Sequence, residues 1–190
     1  MDVQDLLFTM LVRLVLPLWV LAGLADWACH RATRIELRGG VTESNFHLGL
    51  YGLFAMGGLA ALTLETTTGV LLLLLALWLA HEALTWIELR YVVRRREVRP
   101  IEQIVHAFLE LLPLTAIVIL AALNPDASVG LVDWSAADWA LRSRILPEPV
   151  AEIGALVAAT VLLNLVPLIE ENLRCRRKVV PFRGARLLYP

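Results

Sequence analysis

All four histidines of this 190-residue chain stand at helical spacing from a carboxylate. Three of them follow an acidic residue by four positions, and the fourth precedes a glutamate by seven positions. Positions i and i+4, or i and i+7, lie on one face of an α-helix, so the two side chains of each pair can point the same way. The four pairs are Asp26 with His30, Glu43 with His47, His81 with Glu88, and Glu102 with His106.

Imidazoles and carboxylates in these numbers are the ligands that a dinuclear metal site requires. Carboxylates bridge two ions and balance their charge, and neutral imidazoles complete the coordination, as in the soluble di-iron helical bundles. The sequence therefore predicts that these eight side chains bind two divalent metal ions. We favour iron, and zinc and manganese fit the same ligand types. Glu36 and Glu110 are candidates for extra ligands.

Helix capping is a simpler explanation for individual members of this set. Glu43 and Glu102 would stand in first turns, where a carboxylate favours the helix dipole, and Pro100 is a helix-start signal just before Glu102. Capping does not explain why a histidine recurs beside the acidic residue in four separate segments. We therefore favour a shared metal site, and a proton relay or an ion-paired network is the alternative.

The elements that position these residues are predicted to be five transmembrane helices. The chain is 58% hydrophobic and only 18% charged, its mean hydropathy is +0.69, and a bilayer core needs about 20 apolar residues per helix. This composition argues against a water-soluble enzyme, a disordered tail and a nucleic-acid-binding domain. We predict a single all-α domain over residues 1–190, with spans at about 6–25, 46–64, 70–89, 104–123 and 150–169.

The basic residues predict the orientation of these spans. Fourteen of them follow the first, third and fifth spans, whereas only two lie in the long loop 124–148. Because cytoplasmic loops are enriched in Lys and Arg, we expect the N-terminus outside and a basic cytoplasmic tail at 174–190. This topology fits a multi-pass protein of a bacterial-type inner (plasma) membrane. All four histidine pairs would then lie in one layer near the cytoplasmic face, since successive spans alternate in direction.

Two further expectations concern the remaining charged residues. The arginines from Arg90 to Arg99 are interpreted as a topology signal, with an anion site as the alternative. The fifth span has no histidine, so it is interpreted as scaffold even though Glu152, Glu170 and Glu171 belong to it.

The stretch from Asp26 to Glu110 resembles the histidine-box membrane di-iron enzymes, the fatty-acid desaturases and hydroxylases. The resemblance rests on the acidic-x-x-x-His pairs and His81, and Asp26, Glu43 and Glu102 stand where that family has the first histidine of a box. It implies iron, dioxygen and an acyl or other lipid-soluble substrate.

The function that we expect is therefore a membrane-embedded di-iron oxidoreductase that acts on a lipid-like substrate at the cytoplasmic side. Its electrons would come from an external donor, because the sequence has no haem or dinucleotide motif. Zinc in the same cage would favour hydrolysis instead. The same residues would also suit transport of protons or divalent cations, and a structural role in a larger membrane complex is left open. No nucleic-acid partner is expected, and a homo-oligomer is left open.

Overall fold

The chain folds into a bundle of long helices. In this computed structural model, residues 2–144 and 150–178 are described; they contain no β-strand, and their only extended pairing is an isolated bridge between Leu64 and Ser143. The five long helices are α1 (Val3–Thr33), α2 (Gly40–Thr63), α3 (Thr68–Val92), α4 (Pro100–Leu123) and α6 (Val150–Arg177), and a short helix, α5 (Pro125–Val132), follows α4.

Each of the five long helices is long and apolar enough to cross a membrane. The prediction of an all-α, multi-pass membrane protein is therefore confirmed. The helices are longer than the predicted spans, chiefly at the ends where the acidic residues and histidines lie. The orientation of the termini stays a prediction, and tail residues 179–190 and loop residues 145–148 lie outside the described part of the chain.

Local sequence signals set the helix ends. The Asp2 side chain accepts a hydrogen bond from the backbone N–H of Asp5, and the Asp5 side chain accepts one in return, which caps α1. The Thr67 hydroxyl caps α3 by accepting from the Val70 N–H at 3.2 Å. The first residue of α4 is Pro100, a position where proline's missing N–H costs no helical hydrogen bond. Gly40 begins α2 with a φ of +65°, a conformation that glycine adopts without strain.

Two of the long helices contain a π-turn, and both π-turns precede a proline. The π-turn of α1 spans Leu11–Val15 and is followed by Pro17, whereas that of α6 spans Val161–Leu165 and is followed by Pro167. Because proline has no N–H, a helix interior loses one backbone hydrogen bond at this point, and the widened turn accommodates the defect.

The π-turn of α6 also joins α6 to α1. The Asn164 side-chain amide donates a hydrogen bond to the backbone carbonyl of Val20 at 2.9 Å. Gly23 faces this asparagine so closely that a Cβ atom added to Gly23 would lie 2.7 Å from the Asn164 amide nitrogen. The two helices therefore approach each other at a position where only a glycine fits without displacing a neighbour.

The five long helices form a closed ring in the order α1, α4, α3, α2, α6. We define the site end of the bundle as the end where α1, α3 and α6 finish and where α2 and α4 begin. Away from the site end, α1 and α4 pack through an apolar cluster of Leu11, Val15, Leu112, Ala116 and Ile119. Many large apolar side chains on the outside of the ring are exposed, as a lipid-facing surface requires.

At the opposite end, α5 and the segment that follows it pack against the turn between α2 and α3. Arg142 binds Glu65 and Asp138 with nitrogen–oxygen distances of 2.6 Å each, and the Thr68 hydroxyl donates to the Ala127 carbonyl at 3.0 Å. Helix α5 and residues 133–144 therefore lie across the turn between α2 and α3.

Candidate metal centre

Seven of the eight predicted ligands lie in one buried layer at the site end. Four helices supply them. The ligands of α1 and α3 lie near the ends of those helices, and the ligands of α2 and α4 lie near the starts of theirs, so all of them are at the site end. All seven are buried apart from His106, whose side chain is 20% exposed. The layer contains Asp26 and His30 of α1, Glu43 and His47 of α2, Glu88 of α3, and Glu102 and His106 of α4.

One part of this layer is a triad of Asp26, His30 and His106. His106 Nε2 lies 2.9 Å from Asp26 Oδ1, and His30 Nε2 lies 3.6 Å from the same oxygen. One ligand atom of each of the three residues lies within 4.8 Å of the others, so the triad could hold a metal ion. Glu102 borders this triad, with Oε1 3.4 Å from His30 Nε2.

A second triad of His30, Glu43 and His47 adjoins the first. Its ligand atoms also lie within 4.8 Å of one another, so it too could hold a metal ion. The rings of His30 and His47 are stacked with their centroids 4.1 Å apart and their planes within 3° of parallel. Glu88 lies at the far side, with Oε1 2.7 Å from His47 Nε2. Because His30 belongs to both triads, they form one continuous cluster and not two separate sites.

Helix α6 contributes a carboxylate that sequence reasoning missed. Glu171 is fully buried, with Oε1 2.7 Å from His47 Nδ1 and Oε2 3.3 Å from His30 Nδ1. The interpretation of the fifth span as scaffold is therefore wrong at this residue. The sequence position of Glu171 could have indicated it. Both α1 and α6 end at the site end, and Glu171 is about as far from the end of α6 as Asp26 is from the end of α1.

Arg96 is the second residue that the sequence did not single out. It lies in the connector between α3 and α4, yet it is buried between Glu43 and Glu102. Its Nε donates to Glu43 Oε1 at 2.9 Å, its Nη1 donates to Glu102 Oε2 at 2.9 Å, and its Nη2 contacts both carboxylates. Burial alone would lower the pKa of Arg96, but hydrogen bonds to Glu102 and Glu43 outweigh it and raise the pKa. Arg96 is therefore a fixed positive charge in the cluster, beyond any role as a topology signal.

The cluster holds more buried negative charge than arginine can neutralise. Within the described ranges, the cluster contains five buried carboxylates (Asp26, Glu43, Glu88, Glu102 and Glu171) and a single buried guanidinium, that of Arg96. Ionised groups are buried only when they are paired or coordinate metals. With all five carboxylates ionised, four negative charges remain, and two divalent cations would balance them with every imidazole neutral. Without such ions, protonated histidines or neutral carboxyl groups would have to balance the cluster.

Several atoms in the cluster approach one another closely but without a well-directed hydrogen bond. Among the described residues of the cluster, the buried atoms without a hydrogen-bond partner are Asp26 Oδ1, Glu43 Oε2, Glu171 Oε2, His47 Nε2 and both ring nitrogens of His30. Ligand atoms that converge on a common centre, with their lone pairs aimed at it and not at each other, produce this pattern. The donor set of imidazole nitrogens and carboxylate oxygens suits iron, manganese and zinc.

Besides Glu88 and Glu102, which border the two triads, three predicted candidates lie outside them. His81 is buried, stacks on Phe54 with ring centroids 3.8 Å apart, and approaches Glu82 at 3.4 Å. Glu36 forms an ion pair with Arg174. Glu110 is half-buried, and its backbone carbonyl accepts a hydrogen bond from Trp78. His81, Glu36 and Glu110 therefore belong to neither group of converging ligand atoms.

A cavity of about 230 Å³ lies between α1 and the start of α4, beside the cluster. Its wall is mostly apolar, Glu102 links it to the cluster, and the exposed Arg99 stands at its rim. The residues that line it are Ala28, Cys29, Ala32, Thr33, Arg99, Ile101 and Glu102.

The fold and the cluster define a multi-pass helical membrane protein whose buried His, Asp and Glu side chains could hold a metal ion. No protein-family model matches the chain, and neither a curated protein nor a solved structure matches it. The resemblance to the histidine-box enzymes therefore stays an expectation that rests on the residues alone.

Proposed function

We propose that this protein is a membrane-embedded metalloenzyme with a dinuclear centre at the site end of the bundle. The observation that carries the proposal is the charge of the cluster, where five buried carboxylates face one buried arginine among the described residues. One charge at the bilayer centre costs roughly 2.5–3.5 kcal/mol on membrane-insertion scales, which is an upper limit for each charge of a cluster at one end of the bundle. Two bound divalent cations would offset that cost directly. Ion binding is therefore the simplest explanation for so many buried carboxylates in one cluster.

The ligands divide between the two triads. Asp26, His30 and His106 would hold one ion, and Glu43 and His47 would hold the other. Glu88 and Glu102 are close enough to complete the two coordination spheres, since each lies within 3.4 Å of a ligand imidazole nitrogen.

The reaction that we favour is an oxidation of a lipid-soluble substrate. Iron in a cage of this kind supplies redox chemistry with dioxygen, and an external donor would supply the electrons. Zinc in the same cage would supply hydrolytic chemistry, which is the second reaction class.

The cavity between α1 and α4 supports a substrate that comes from the membrane. Its walls are apolar at Ala28, Ala32 and Ile101, and the ligand candidate Glu102 also lines it. A hydrocarbon chain could therefore approach the centre from the lipid. The excess of basic residues in the connectors at this end favours a centre on the cytoplasmic side of a bacterial-type inner membrane under the positive-inside rule.

A proton relay is a second candidate, because the same residues form a continuous chain of alternating histidines and carboxylates. His106 contacts Asp26, Asp26 contacts His30, and Glu171 joins His30 to His47 at distances between 2.7 and 3.6 Å. The chain ends at Glu88, within the same layer. The apolar cluster between α1 and α4 lies beyond it. This arrangement favours proton movement within a site over transport across the membrane.

The metal content of the detergent-purified protein, measured by inductively coupled plasma mass spectrometry, tests the proposal. We expect two ions per chain, and we expect His47→Ala and His106→Ala to lose them. His81→Ala is the matched control, because His81 is buried but belongs to neither triad, and it should keep both ions. Two irons support the oxidoreductase, and two zincs point to the hydrolase. A protein without stoichiometric metal would contradict the proposal and favour the relay or a structural subunit.

A further inference from the structure

Two histidine rings that belong to different helices stack in parallel beside one carboxylate. His30 is late in α1 and His47 is early in α2, yet their rings lie within 3° of parallel with centroids 4.1 Å apart. Both rings turn Nδ1 toward Glu171 of α6. His47 Nδ1 lies 2.7 Å from one Glu171 oxygen, and His30 Nδ1 lies 3.3 Å from the other.

The second nitrogen of each ring faces the ligand carboxylates. His30 Nε2 faces Asp26 and Glu102, and His47 Nε2 faces Glu88. Of the two contacts of His47, only the one between Nδ1 and Glu171 has hydrogen-bond geometry, so the neutral His47 ring would carry its proton on Nδ1 and keep a lone pair on Nε2. His30 presents Nδ1 to the other Glu171 oxygen at 3.3 Å without a directed hydrogen bond, and the same tautomer would follow once that contact closes. Carboxylates behind metal-bound histidines fix the tautomer and the ring orientation in this way.

We propose that Glu171 is a positioning residue that sets both the ligating nitrogen and the spacing of the two ions. Parallel rings that point the same nitrogen at the same carboxylate place their Nε2 atoms about one ring separation apart, close to the 4.1 Å between the centroids. Ions in two-metal sites lie about 3.5–4 Å apart. The Glu171 clamp therefore selects a coupled pair of ions. This inference rests on the proposed dinuclear centre. It assigns to Glu171 the orientation of the two imidazoles, whereas the other carboxylates would bind the ions themselves.

The end of α6 is anchored firmly enough for this role. Glu171 is fully buried, and the next residue, Asn172, donates hydrogen bonds to Ser44 at 3.3 Å and to Asn45 at 2.9 Å. Both partners lie on α2, within one turn of His47. The carboxylate is thus fixed to the helix that carries one of the two rings that it orients.

Glu171→Gln tests the clamp, because glutamine keeps the size of the side chain but has only one acceptor oxygen. One imidazole must then rotate or change its tautomer. The probe is Mn²⁺ alone, added to the full chain in detergent and followed by electron paramagnetic resonance. We expect the wild type to give the signal of two spin-coupled ions and Glu171→Gln to give isolated Mn²⁺, with the second ion bound about 10–100-fold more weakly.

Glu170→Gln is the matched control. Glu170 is the neighbouring residue, but it is half-exposed and pairs with Arg31 and Trp27 on the outside of the bundle. This variant should keep the coupled signal. A coupled signal of unchanged strength in Glu171→Gln would overturn the inference and leave the metal centre standing. A wild type that binds no Mn²⁺, Fe²⁺ or Zn²⁺ would instead overturn the proposed function.

A second measurement needs no variant at Glu171 and decides the question if Glu171→Gln does not fold. Nuclear magnetic resonance of the zinc-loaded full chain with labelled histidine reports which ring nitrogen carries the proton. We expect both His30 and His47 to be protonated at Nδ1 and to bind zinc through Nε2. Zinc bound through Nδ1 of either residue would overturn the inference.

Discussion

Replacing Arg96 by glutamine should destabilise the metal-free protein far more than the metal-loaded protein. Among the described residues, Arg96 is the only fixed cation between Glu43 and Glu102, and it hydrogen-bonds to both carboxylates. Removing one partner of a buried ion pair costs about 3–5 kcal/mol, because the remaining charge is left buried without compensation. For a chain of this size, that cost corresponds to a fall in Tm of roughly 6–20 °C.

Bound ions should reverse most of this loss. Divalent cations neutralise the same carboxylates that Arg96 neutralises, so the ions and Arg96 compensate partly for each other. Ligand binding at 100 times Kd adds about 2.7 kcal/mol to stability. We therefore expect saturating Mn²⁺ to raise the Tm of Arg96→Gln by more than it raises the Tm of the wild type.

The assay is thermal unfolding in detergent, with and without Mn²⁺, beside Arg95→Gln as the control. Arg95 is the preceding residue in the chain, but it is exposed and lies over the Tyr91 ring at 3.6 Å. Its substitution should leave Tm nearly unchanged. If Arg96→Gln lowers Tm equally with and without Mn²⁺, then Arg96 and the ions do not share carboxylates, and the reasoning on charge is refuted.

Three further predictions test the fold, the cavity and the orientation. Gly23→Ala should lower the free energy of unfolding by about 1–3 kcal/mol, because the new Cβ would meet Asn164 in the π-turn of α6. Gly154→Ala is the control, since its Cβ meets no neighbour, and it should be neutral or stabilising in thermal unfolding. Ala32→Leu should fill the cavity beside α4 and weaken the binding of a fluorescent fatty acid without loss of metal; unchanged binding would exclude this route. Ser135→Cys should react with an impermeant maleimide from outside the cell, and Arg94→Cys should react only after permeabilisation; the reverse result would invert the topology.

The layer of the candidate centre could be predicted because its depth is encoded in the sequence. In a transmembrane bundle, the position of a residue along its span gives its level, and the i, i+4 spacing gives its face. Asp26 and His30, late in one span, therefore meet Glu102 and His106, early in another. The position along the helix also explains why His81 is the one predicted ligand of the eight that lies outside this layer. His81 shares a face with Glu88 but lies seven residues away, about 10 Å along the helix, so it packs against Phe54 instead.

Arg96 and Glu171 could not be predicted in the same way. Arg96 lies in a connector, where helical periodicity has no meaning, and it is one of three consecutive arginines of which only this one is buried. Glu171 is one of two consecutive glutamates, and only the packing of α6 between α1 and α2 shows which of them faces inward. Both assignments depend on contacts between helices that are distant in sequence.

The ring order of the helices has a consequence for how the protein is made. Helix α6 is the last of the described helices to leave the ribosome, and it closes the ring between α1 and α2, the first two. It also brings Glu171 to the paired imidazoles. The first four long helices must therefore wait in the membrane with their acidic residues beside their own histidines until α6 inserts. Maturation of the cluster is thus tied to the synthesis of α6, and a chain stalled before α6 would hold an open and incompletely oriented set of candidate ligands.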